Sequence, residues 1–470
     1  MQNILLVAAS YFFYGSWDWR FLFLLIFSTA INYFAGLRIW ESDSQSKKKV
    51  WLVSGIVVNL GFLGFFKYYN FFIESFADLL NVFGINSGLW TLKIILPVGI
   101  SFYTFHGLSY ILDIYNRRIE PTRNVIDYSL FVCFFPLLVA GPVERATHLL
   151  PQLKKPRTFL SSNVTDGLKQ ILWGLFKKMV VADNCAVVVD QIFDNYSVLP
   201  ANTLLLGAIL GLIQIYCDFS GYSDIALGSA RLLGIELLQN FNYPLFASSV
   251  SDYWKRNHIS MTTWFMDYIY YPLTDRGNSL RYWNACIIIT FILSGLWHGA
   301  NWTFIVWGGI HGLMLVVSIN SSRRRRKFEK KYNLTDNGFY RFARIVKTFM
   351  IVAFVGILFR GKNLTEAVSY MSNIFSASLF SPSIGEFNTG KKSVLIAIVL
   401  SAIMFLVEWN ERREEKRREE KRREEKRREE YYTIRYPCKK KWQRYSMYYA
   451  IILAIILYAG KGQQFVYFQF

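Results

Sequence analysis

The chain has 470 residues, of which 53% are hydrophobic, 18% aromatic and only 18% charged. A soluble chain of this length usually carries about 25% charged residues, with polar stretches between its domains. Here the apolar residues stand in nearly charge-free blocks, such as residues 51–66 and 204–216. A helix needs about 17 to 25 such residues to cross a bilayer, and somewhat fewer where end residues snorkel. The composition therefore excludes a soluble enzyme and predicts an all-α polytopic membrane protein.

The formal net charge is +20, but the basic residues are not spread over the chain. They cluster beside the apolar blocks, which is the pattern of short cytoplasmic loops. The clusters are Lys47–Lys49, Arg117 and Arg118, Lys154 to Arg157, Arg323–Lys327 and Lys439–Lys441. A nucleic-acid binder would need these charges on one continuous groove, whereas membrane helices separate them. No nucleic-acid partner is therefore expected.

Motifs of several common enzyme classes are missing from the sequence. The five cysteines form no CxxC pair and no Cys/His cluster with zinc spacing, so neither a disulfide framework nor a metal site is predicted. There is no P-loop, dinucleotide-binding glycine motif, GxSxG elbow or HExxH motif, which argues against nucleotide, α/β-hydrolase and zinc-protease chemistry. The N-terminus has no basic region before its apolar stretch, so a cleavable signal peptide is not expected.

Ten apolar segments predict membrane spans, and residues 1–470 are predicted to form one membrane-embedded domain. The segments are residues 1–14, 21–40, 50–66, 94–112, 168–189, 202–217, 301–319, 346–359, 393–409 and 446–459. Two further stretches, 128–140 and 284–297, are short and lie between basic loops assigned to one side. They are predicted to be re-entrant or half-depth elements. Irregular backbone at membrane depth must be lined by protein or by a water-filled cavity, so these stretches predict a central cavity.

A charged segment runs from residue 411 to residue 430, where the unit KRREE repeats every five residues. A five-residue step turns an ideal helix by about 140° if each residue turns it by about 100°, so like charges do not form a stripe. Opposite charges lie three and four residues apart, as in Glu414 with Arg417 and Arg418, which favours a solvated helix of roughly 30 Å. We expect it to extend the preceding span into the cytosol, and a docking arm for anionic lipid or a partner stays open. The span 446–459 then crosses outward and places residues 465–470 outside.

Ionisable groups within apolar sequence are costly and often functional, and His298 is the sharpest of the five histidines. It stands in FILSGLWHGANW with Gly295, Gly299 and Ala300 around it. Small residues let a ligand or another backbone approach closely. Imidazole is well suited to take a proton from a hydroxyl near neutral pH. A catalytic role is therefore predicted, with a histidine hydrogen-bonded between helices as the alternative.

The other histidines have more ambiguous surroundings. His258 lies in SDYWKRNHISMTTWFMDYIYYPL, where cations and aromatics alternate as at a membrane interface, so a catalytic and a structural role are both open. His311 follows His298 by thirteen residues, which is about 140° around one continuous helix. The two would not share a face unless the Gly308-Gly309 pair breaks that helix. Structural roles are expected for His106 and His148.

Further polar residues are candidates to line a substrate site. The stretch QIYCDFSGYSDIALGSARLLG carries several polar side chains around a glycine, which could orient a substrate or cap a helix beginning near Ser223. The candidate lining residues are Asp218, Tyr222, Asp224, Trp297 and Asn301. The aromatic tail FVYFQF contains Tyr467 and also fits the aromatic belt of a membrane interface.

Several long blocks carry a resemblance to a known family. They are Pro142–Leu153, Tyr216–Ala226, Asn240–Leu273, Ser294–Gly312 and the terminal FVYFQF. In this order they resemble the membrane-bound O-acyltransferase family, and most closely its bacterial alginate O-acetyltransferase branch. The likeness covers nearly the whole chain, and only the KRREE repeat departs from the family.

The resemblance implies a fold, an activity and a site. The family fold is a ring of about 10–12 tilted transmembrane helices with re-entrant segments around a central tunnel. His298 matches the family's invariant catalytic histidine, and His258 matches a second histidine. The donor would be a cytosolic thioester such as acetyl-CoA or an acyl carrier, with no bound cofactor, and the protein would lie in the bacterial inner membrane. In related systems a C-terminal tyrosine, matching Tyr467, is thought to relay the acyl group to an extracytoplasmic esterase-like (SGNH-type) acetyltransferase partner.

Two other functions remain open at this stage. Within the family, the chain could be a D-alanyl transferase to teichoic acid that draws on an acyl carrier protein. From a different class, ten or more spans with discontinuous segments also describe a secondary transporter of polysaccharide precursors. Transporters of that kind tend to show two related halves, whereas the polar residues here concentrate between residues 218 and 311.

Overall fold

The computed structural model describes residues 1–85, 91–139, 141–335, 337–381, 390–425 and 441–459, and for residues 416–425 only the backbone. This part of the chain is helical and contains no strand. Seven of its helices are long and apolar enough to cross a membrane. They are Trp19–Glu41, Gln45–Val82, Ala201–Leu232, Leu280–His298, Trp302–Asn320, Gly338–Arg360 and Gly390–Glu415. The predicted class, an all-α polytopic membrane protein, is confirmed.

The chain divides into two compact units. The first unit comprises Met1–Ser161 with Ala230–Leu238. Its helices are α1 (Gln2–Trp17), α2 (Trp19–Glu41), α3 (Gln45–Leu63), α4 (Tyr69–Val82), α5 (Ile100–Tyr115), α6 (Val125–Cys133), α7 (Phe135–Leu138) and α8 (Ala146–Leu153). A π-helical turn, Gly64–Tyr68, joins α3 to α4. The predicted short element 128–140 forms α6 and α7, which have 9 and 4 residues and are each too short to span a bilayer.

The second unit comprises Ser162–Ser229 with Gln239–Phe470. Its first helices are α9 (Ser161–Leu175), α10 (Asp183–Asp194), α11 (Ala201–Leu232), α12 (Val250–Trp254), α13 (Ile259–Phe265), α14 (Tyr271–Thr274) and α15 (Leu280–His298). They are followed by α16 (Trp302–Asn320), α17 (Ser322–Lys331), α18 (Gly338–Arg360), α19 (Leu364–Asn373), α20 (Gly390–Glu425) and α21 (Lys441–Tyr458). A π-helical turn, Phe176–Ala182, joins α9 to α10. All the candidate site residues that the structure describes belong to this unit.

The sequence-based prediction of a half-depth element at 284–297 is wrong. The helix α15 begins at Leu280, before the apolar stretch, because the Ser279 hydroxyl caps its first turn by accepting from the Tyr282 amide. With 19 residues, α15 is long enough to be a membrane span. It forms a hairpin with α16 across the three residues 299–301. Two membrane crossings, one by α15 and one by α16, also place the basic loops before and after the hairpin on the same side of the membrane. These loops were the reason for the half-depth prediction.

Glycines let the two helices of this hairpin touch. A Cβ atom at Gly295 would lie 2.2 Å from the Phe304 carbonyl oxygen, and one at Gly308 would lie 2.2 Å from that of Phe291. Close backbone approach at small residues is a common way for membrane helices to associate. The chain breaks between His298 and Trp302, not at the Gly308-Gly309 pair, so His298 and His311 lie on separate helices.

A second set of glycines brings α9 against α11. A Cβ at Gly221 would lie 2.7 Å from the Gly174 carbonyl oxygen, and one at Gly228 would lie 2.5 Å from that of Gly167. Each contact pairs a glycine of α9 with a glycine of α11, and the two glycines of each helix are seven residues apart. This close approach leaves no room for side chains between the helices at these points.

The charged repeat begins as a direct extension of a membrane span. Helix α20 runs without a break from Gly390 to Glu425, so the repeat continues the helix of the span as far as it is described. The first charged residues of the repeat are Glu411 and Arg412. They are buried and not solvated as predicted. The Tyr243 hydroxyl donates to Glu411 over 3.3 Å, and the Arg412 guanidinium lies 5.6 Å from the centre of the Phe246 ring.

The glycine contact between α9 and α11 predicts a position-specific effect on stability. In Gly221→Ala, the new methyl group would overlap backbone atoms, and overpacking of this kind typically costs about 1–3 kcal/mol. We expect a lower midpoint of thermal unfolding in detergent. In the control Gly211→Ala, on the same helix, the nearest atom to the new methyl lies 3.7 Å away. That variant should be unchanged or more stable, and equal effects of the two substitutions would contradict the contact.

Candidate active site

Three histidines of the second unit line one cavity. They are His258, His298 and His311. Aromatic side chains form much of the remaining wall, among them Tyr216, Phe219, Phe241, Trp254, Trp307 and Phe359. His298, which is 4% exposed, is thus a lining residue of this cavity.

The backbone brings the three imidazoles together from separate elements. His298 is the last residue of α15, and His311 lies in the middle of α16, so the hairpin places both on the cavity. His258 precedes α13 and has a left-handed backbone with φ 48° and ψ 51°. Non-glycine residues in this region are uncommon and strained, and they cluster at functional sites.

The rings around His298 restrict its position. Its ring centre lies 6.2 Å from that of His258, 4.8 Å from Trp297, 5.2 Å from Trp307 and 5.3 Å from Phe359. His311 is engaged differently, because its Nδ1 accepts a hydrogen bond from the Trp254 indole over 3.2 Å. One ring nitrogen of His311 is thus already bonded, whereas the ring centres of His258 and His298 lie 6.2 Å apart on the same cavity.

His258 is held by a single polar side chain. Its Nδ1 lies 3.1 Å from Asn240 Oδ1, whereas its Nε2 has no hydrogen-bond partner among the described residues. The side chain of His258 is buried, which lowers its pKa to about 3 because burial penalises the charged imidazolium. A neutral imidazole whose second ring nitrogen has no hydrogen-bond partner can accept a proton from a group that reaches it.

A second, smaller cavity shares Tyr216 and Phe241 with the histidine cavity. Its lining is charged: Lys177 Nζ lies 2.6 Å from Asp224 Oδ2 and 3.9 Å from Glu408 Oε1. The Tyr216 hydroxyl donates to both oxygens of the Glu408 carboxylate over 2.8 and 2.9 Å. Tyr216 thus separates a charged cavity from one lined by imidazoles and aromatic rings.

The neighbouring lysine makes a parallel set of ion pairs. Lys178 Nζ lies 2.7 Å from Asp183 and 2.7 Å from Asp218. Both lysines belong to the π-helical turn between α9 and α10. π-Helical turns are rare and occur frequently at functional sites. Here the turn presents two consecutive lysines to two different pairs of carboxylates.

The predicted site residues fall into three groups. His298, His258 and Asp224 line one of the two cavities. Trp297 packs against both imidazoles, with its ring centre 5.7 Å from that of His258, but it is not among the cavity-lining residues. The remaining predictions lie elsewhere: Asp218 binds Lys178, Tyr222 lines neither cavity, Asn301 caps α16, and Tyr467 lies outside the described residues.

Asn301 has a structural explanation for its position beside the histidine. Its Oδ1 accepts from the Thr303 amide, and its Nδ2 donates to the Lys362 carbonyl over 2.9 Å. Such a cap satisfies backbone groups that a helix start leaves open. The turn that Asn301 caps is the one that separates His298 from α16.

Sequence reasoning missed Asn240, Lys177, Glu408 and the contribution of His311. Lys177 carried a usable signal, since a lysine pair inside the predicted span 168–189 must find partners. Glu408 carried the same signal near the end of the predicted span 393–409. Asn240 had none, because its partner His258 lies 18 residues further along an irregular segment.

The arrangement suits transfer of a group between two substrates. The two imidazoles can take up and return a proton, and the aromatic walls exclude water from a reactive intermediate. The charged cavity offers both donors and acceptors to a polar portion of a substrate.

Comparison with known proteins assigns this chemistry. The model of the MBOAT, membrane-bound O-acyltransferase family matches residues 118–358, just over half of the chain. A probable alginate O-acetylase of Azotobacter vinelandii is 38% identical over 80% of this chain and 73% of its own. A peptidoglycan O-acetyltransferase of Helicobacter pylori is 35% identical over 78% of this chain and 73% of its own. A teichoic acid D-alanyltransferase of Bacillus subtilis is more distant, at 27% identity over 56% and 69%.

The family match includes α15 and α16 with His298, and it includes His258 and Asn240. The resemblance inferred from the sequence is thereby confirmed, and the transporter alternative falls away. The chain belongs to the membrane-bound O-acyltransferase family, and it is an O-acyltransferase.

Proposed function

We propose that this enzyme moves an acyl group from a cytosolic thioester to a polysaccharide outside the membrane, and we expect this group to be acetyl. The observation that carries the proposal is the placement of His258 and His298 on one cavity of a membrane-embedded unit. The names of two relatives, an alginate O-acetylase and a peptidoglycan O-acetyltransferase, support both acetyl transfer and a polysaccharide acceptor. The same relatives support a location in the bacterial inner membrane.

His258 and His298 are the catalytic residues of this proposal. The oxygen of an acceptor hydroxyl attacks the thioester carbonyl carbon, and an imidazole takes the hydroxyl proton. The C–S bond then breaks, and the sulfur leaves with that proton as a thiol. From the sequence we expect His298 to be the base and His258 to polarise the thioester carbonyl or line the donor entrance.

The donor is proposed to be acetyl-CoA or an acyl carrier thioester. The basic loops, which the charge pattern predicts to be cytosolic, attract phosphate groups through charge-assisted contacts. A thioester is reactive enough that no redox cofactor or metal is required. Passing only the acyl group through the protein also avoids moving a charged CoA through hydrocarbon.

The acceptor is either a sugar hydroxyl or the Tyr467 hydroxyl. In the second case Tyr467 receives the acyl group and passes it to an extracytoplasmic esterase-like protein, which acylates the polysaccharide. The support is the match of the terminal FVYFQF to the family tail and the charge pattern that predicts this tail outside. The tail itself lies outside the described residues.

Replacing His298 tests the catalytic assignment. In His298→Ala, CoA release from acetyl-CoA by the purified protein should fall by about 10² to 10⁴, which is the usual contribution of a general acid–base group. The control is His148→Gln, at a histidine of the first unit whose Nδ1 is bonded to Glu144 and which should keep near-normal turnover. Normal turnover in His298→Ala would remove this residue from the mechanism.

Replacing Tyr467 tests the relay. Tyr467→Phe deletes one hydroxyl and keeps the aromatic ring, so polymer acetylation in cells should be lost while CoA release by the purified protein persists in part. The control Phe468→Leu alters the aromatic tail without touching that hydroxyl, and it should keep polymer acetylation. Acetylation that survives in Tyr467→Phe would rule out the relay.

D-alanyl transfer to teichoic acid is the second candidate, because a teichoic acid D-alanyltransferase is also a relative. A direct comparison of donors separates the two. We expect the purified protein to consume acetyl-CoA and to leave a D-alanyl carrier protein unchanged, since the acetylating relatives are closer in sequence. The opposite preference would replace acetyl transfer with D-alanyl transfer.

A further inference from the structure

The orientation of the Asn240 amide is fixed by its neighbours. Its Oδ1 lies 3.3 Å from the Ser260 backbone nitrogen, which can only donate, and it accepts from the Ser260 hydroxyl over 2.8 Å. The atom that faces Ser260 must therefore be the amide oxygen and not the nitrogen. Asn240 is 1% exposed, so no solvent competes for these bonds.

This orientation determines which nitrogen of His258 carries the proton. The same Oδ1 lies 3.1 Å from His258 Nδ1, and an amide oxygen can only accept. Nδ1 must therefore be the N–H donor, and in the neutral imidazole Nε2 keeps a lone pair. Burial lowers the pKa of His258 to about 3, so the neutral form is the one present near pH 7.

The backbone holds the pair in register. The Ile259 amide donates to the Asn240 carbonyl over 2.8 Å, and the Asn242 amide donates to the Arg256 carbonyl over 2.9 Å. His258 lies between these two bonds in its left-handed conformation. A strained residue persists where surrounding contacts over-determine it, as they do here.

We propose that Asn240 is a positioning residue that holds His258 as its Nδ1–H tautomer, so that His258 Nε2 accepts the proton of the acceptor hydroxyl. This inference rests on the proposed function and reverses the division of labour that the sequence suggests. A neutral His258 with a bare Nε2 has no hydrogen to offer a thioester carbonyl. Polarisation of that carbonyl falls to His298 on the other side of the cavity, 6.2 Å away between ring centres.

The step balances with the groups already named. The hydroxyl O–H bond breaks as its oxygen bonds to the carbonyl carbon, and the proton moves to His258 Nε2. The resulting imidazolium keeps its Nδ1–H bond to Asn240, whose oxygen stabilises the positive charge. The C–S bond then breaks, and Nε2 returns the proton to the leaving sulfur. His258 ends as it began.

The first test is spectroscopic and reads the tautomer of His258 in the unaltered protein. The five histidines are labelled with ¹⁵N in the full-length protein, and the His258 signals are identified by their loss in His258→Gln. At neutral pH we expect a protonated Nδ1 and a bare Nε2 for His258. A protonated Nε2 in the unaltered protein would overturn the inference.

The second test is kinetic. Asn240→Ala should lower kcat for CoA release by about tenfold or more, as part of the base contribution is lost, with little change in KM for acetyl-CoA. Asn240→Asp keeps an acceptor at the same place and should restore most of kcat. The control Thr263→Ala removes an exposed hydroxyl that donates to the backbone of the same helix and does not contact Asn240, and it should stay near normal.

The outcomes separate this inference from the proposed function. Full kcat in Asn240→Ala, together with inactive His258→Gln and His298→Ala variants, would overturn the role of Asn240 alone. Turnover that survives in both histidine variants would overturn the proposed function itself. A loss of activity that is the same in Asn240→Ala and Asn240→Asp would show a structural role and would also overturn the inference.

Discussion

Polar side chains inside a membrane protein must satisfy one another, and this constraint organises the second unit. Lys177 is 3% exposed, and it is stabilised there because Asp224 and Glu408 lie within ion-pair distance. An unpaired charge at such a position would be costly. The pairing requires α9 and α11 to approach closely, and the backbone contact at Gly174 and Gly221 provides that approach. The buried ion pair therefore depends on the glycines that let the two helices touch.

The same constraint keeps the charged cavity apart from the histidine cavity. On one side of Tyr216 the cavity is lined by Lys177, Asp224 and Glu408, and on the other it is lined by imidazoles and aromatic rings. Low polarity around an imidazole keeps it uncharged and therefore able to accept a proton. The Tyr216 hydroxyl is bound to Glu408, so the charges on one side also fix the wall of the other. Tyr216 in this way connects the ion pairs to the cavity in which we propose acyl transfer.

The sequence predicted what depends on composition and local pattern. Apolar blocks predicted six of the seven described helices that are long and apolar enough to cross a membrane. The small residues around His298 singled out the imidazole that the structure places on a cavity. It could not predict pairings between distant segments: Glu408 meets Tyr216 across 192 residues, and the amide of Asn240 orients a histidine 18 residues away. The half-depth prediction for 284–297 failed because Ser279 starts α15 within polar sequence. The face argument for His298 and His311 assumed one helix, whereas Asn301 caps a second one.

The central claim is that one membrane-embedded pair of histidines serves a donor on one side and an acceptor on the other. Sealed vesicles of known orientation test it most directly, with radiolabelled acetyl-CoA supplied to one face and the polysaccharide with its extracytoplasmic transferase on the opposite face. The account predicts labelled polysaccharide only when acetyl-CoA is on the side of the basic loops. Label that appears equally well with the two sides exchanged, or only when donor and acceptor share a side, would contradict it.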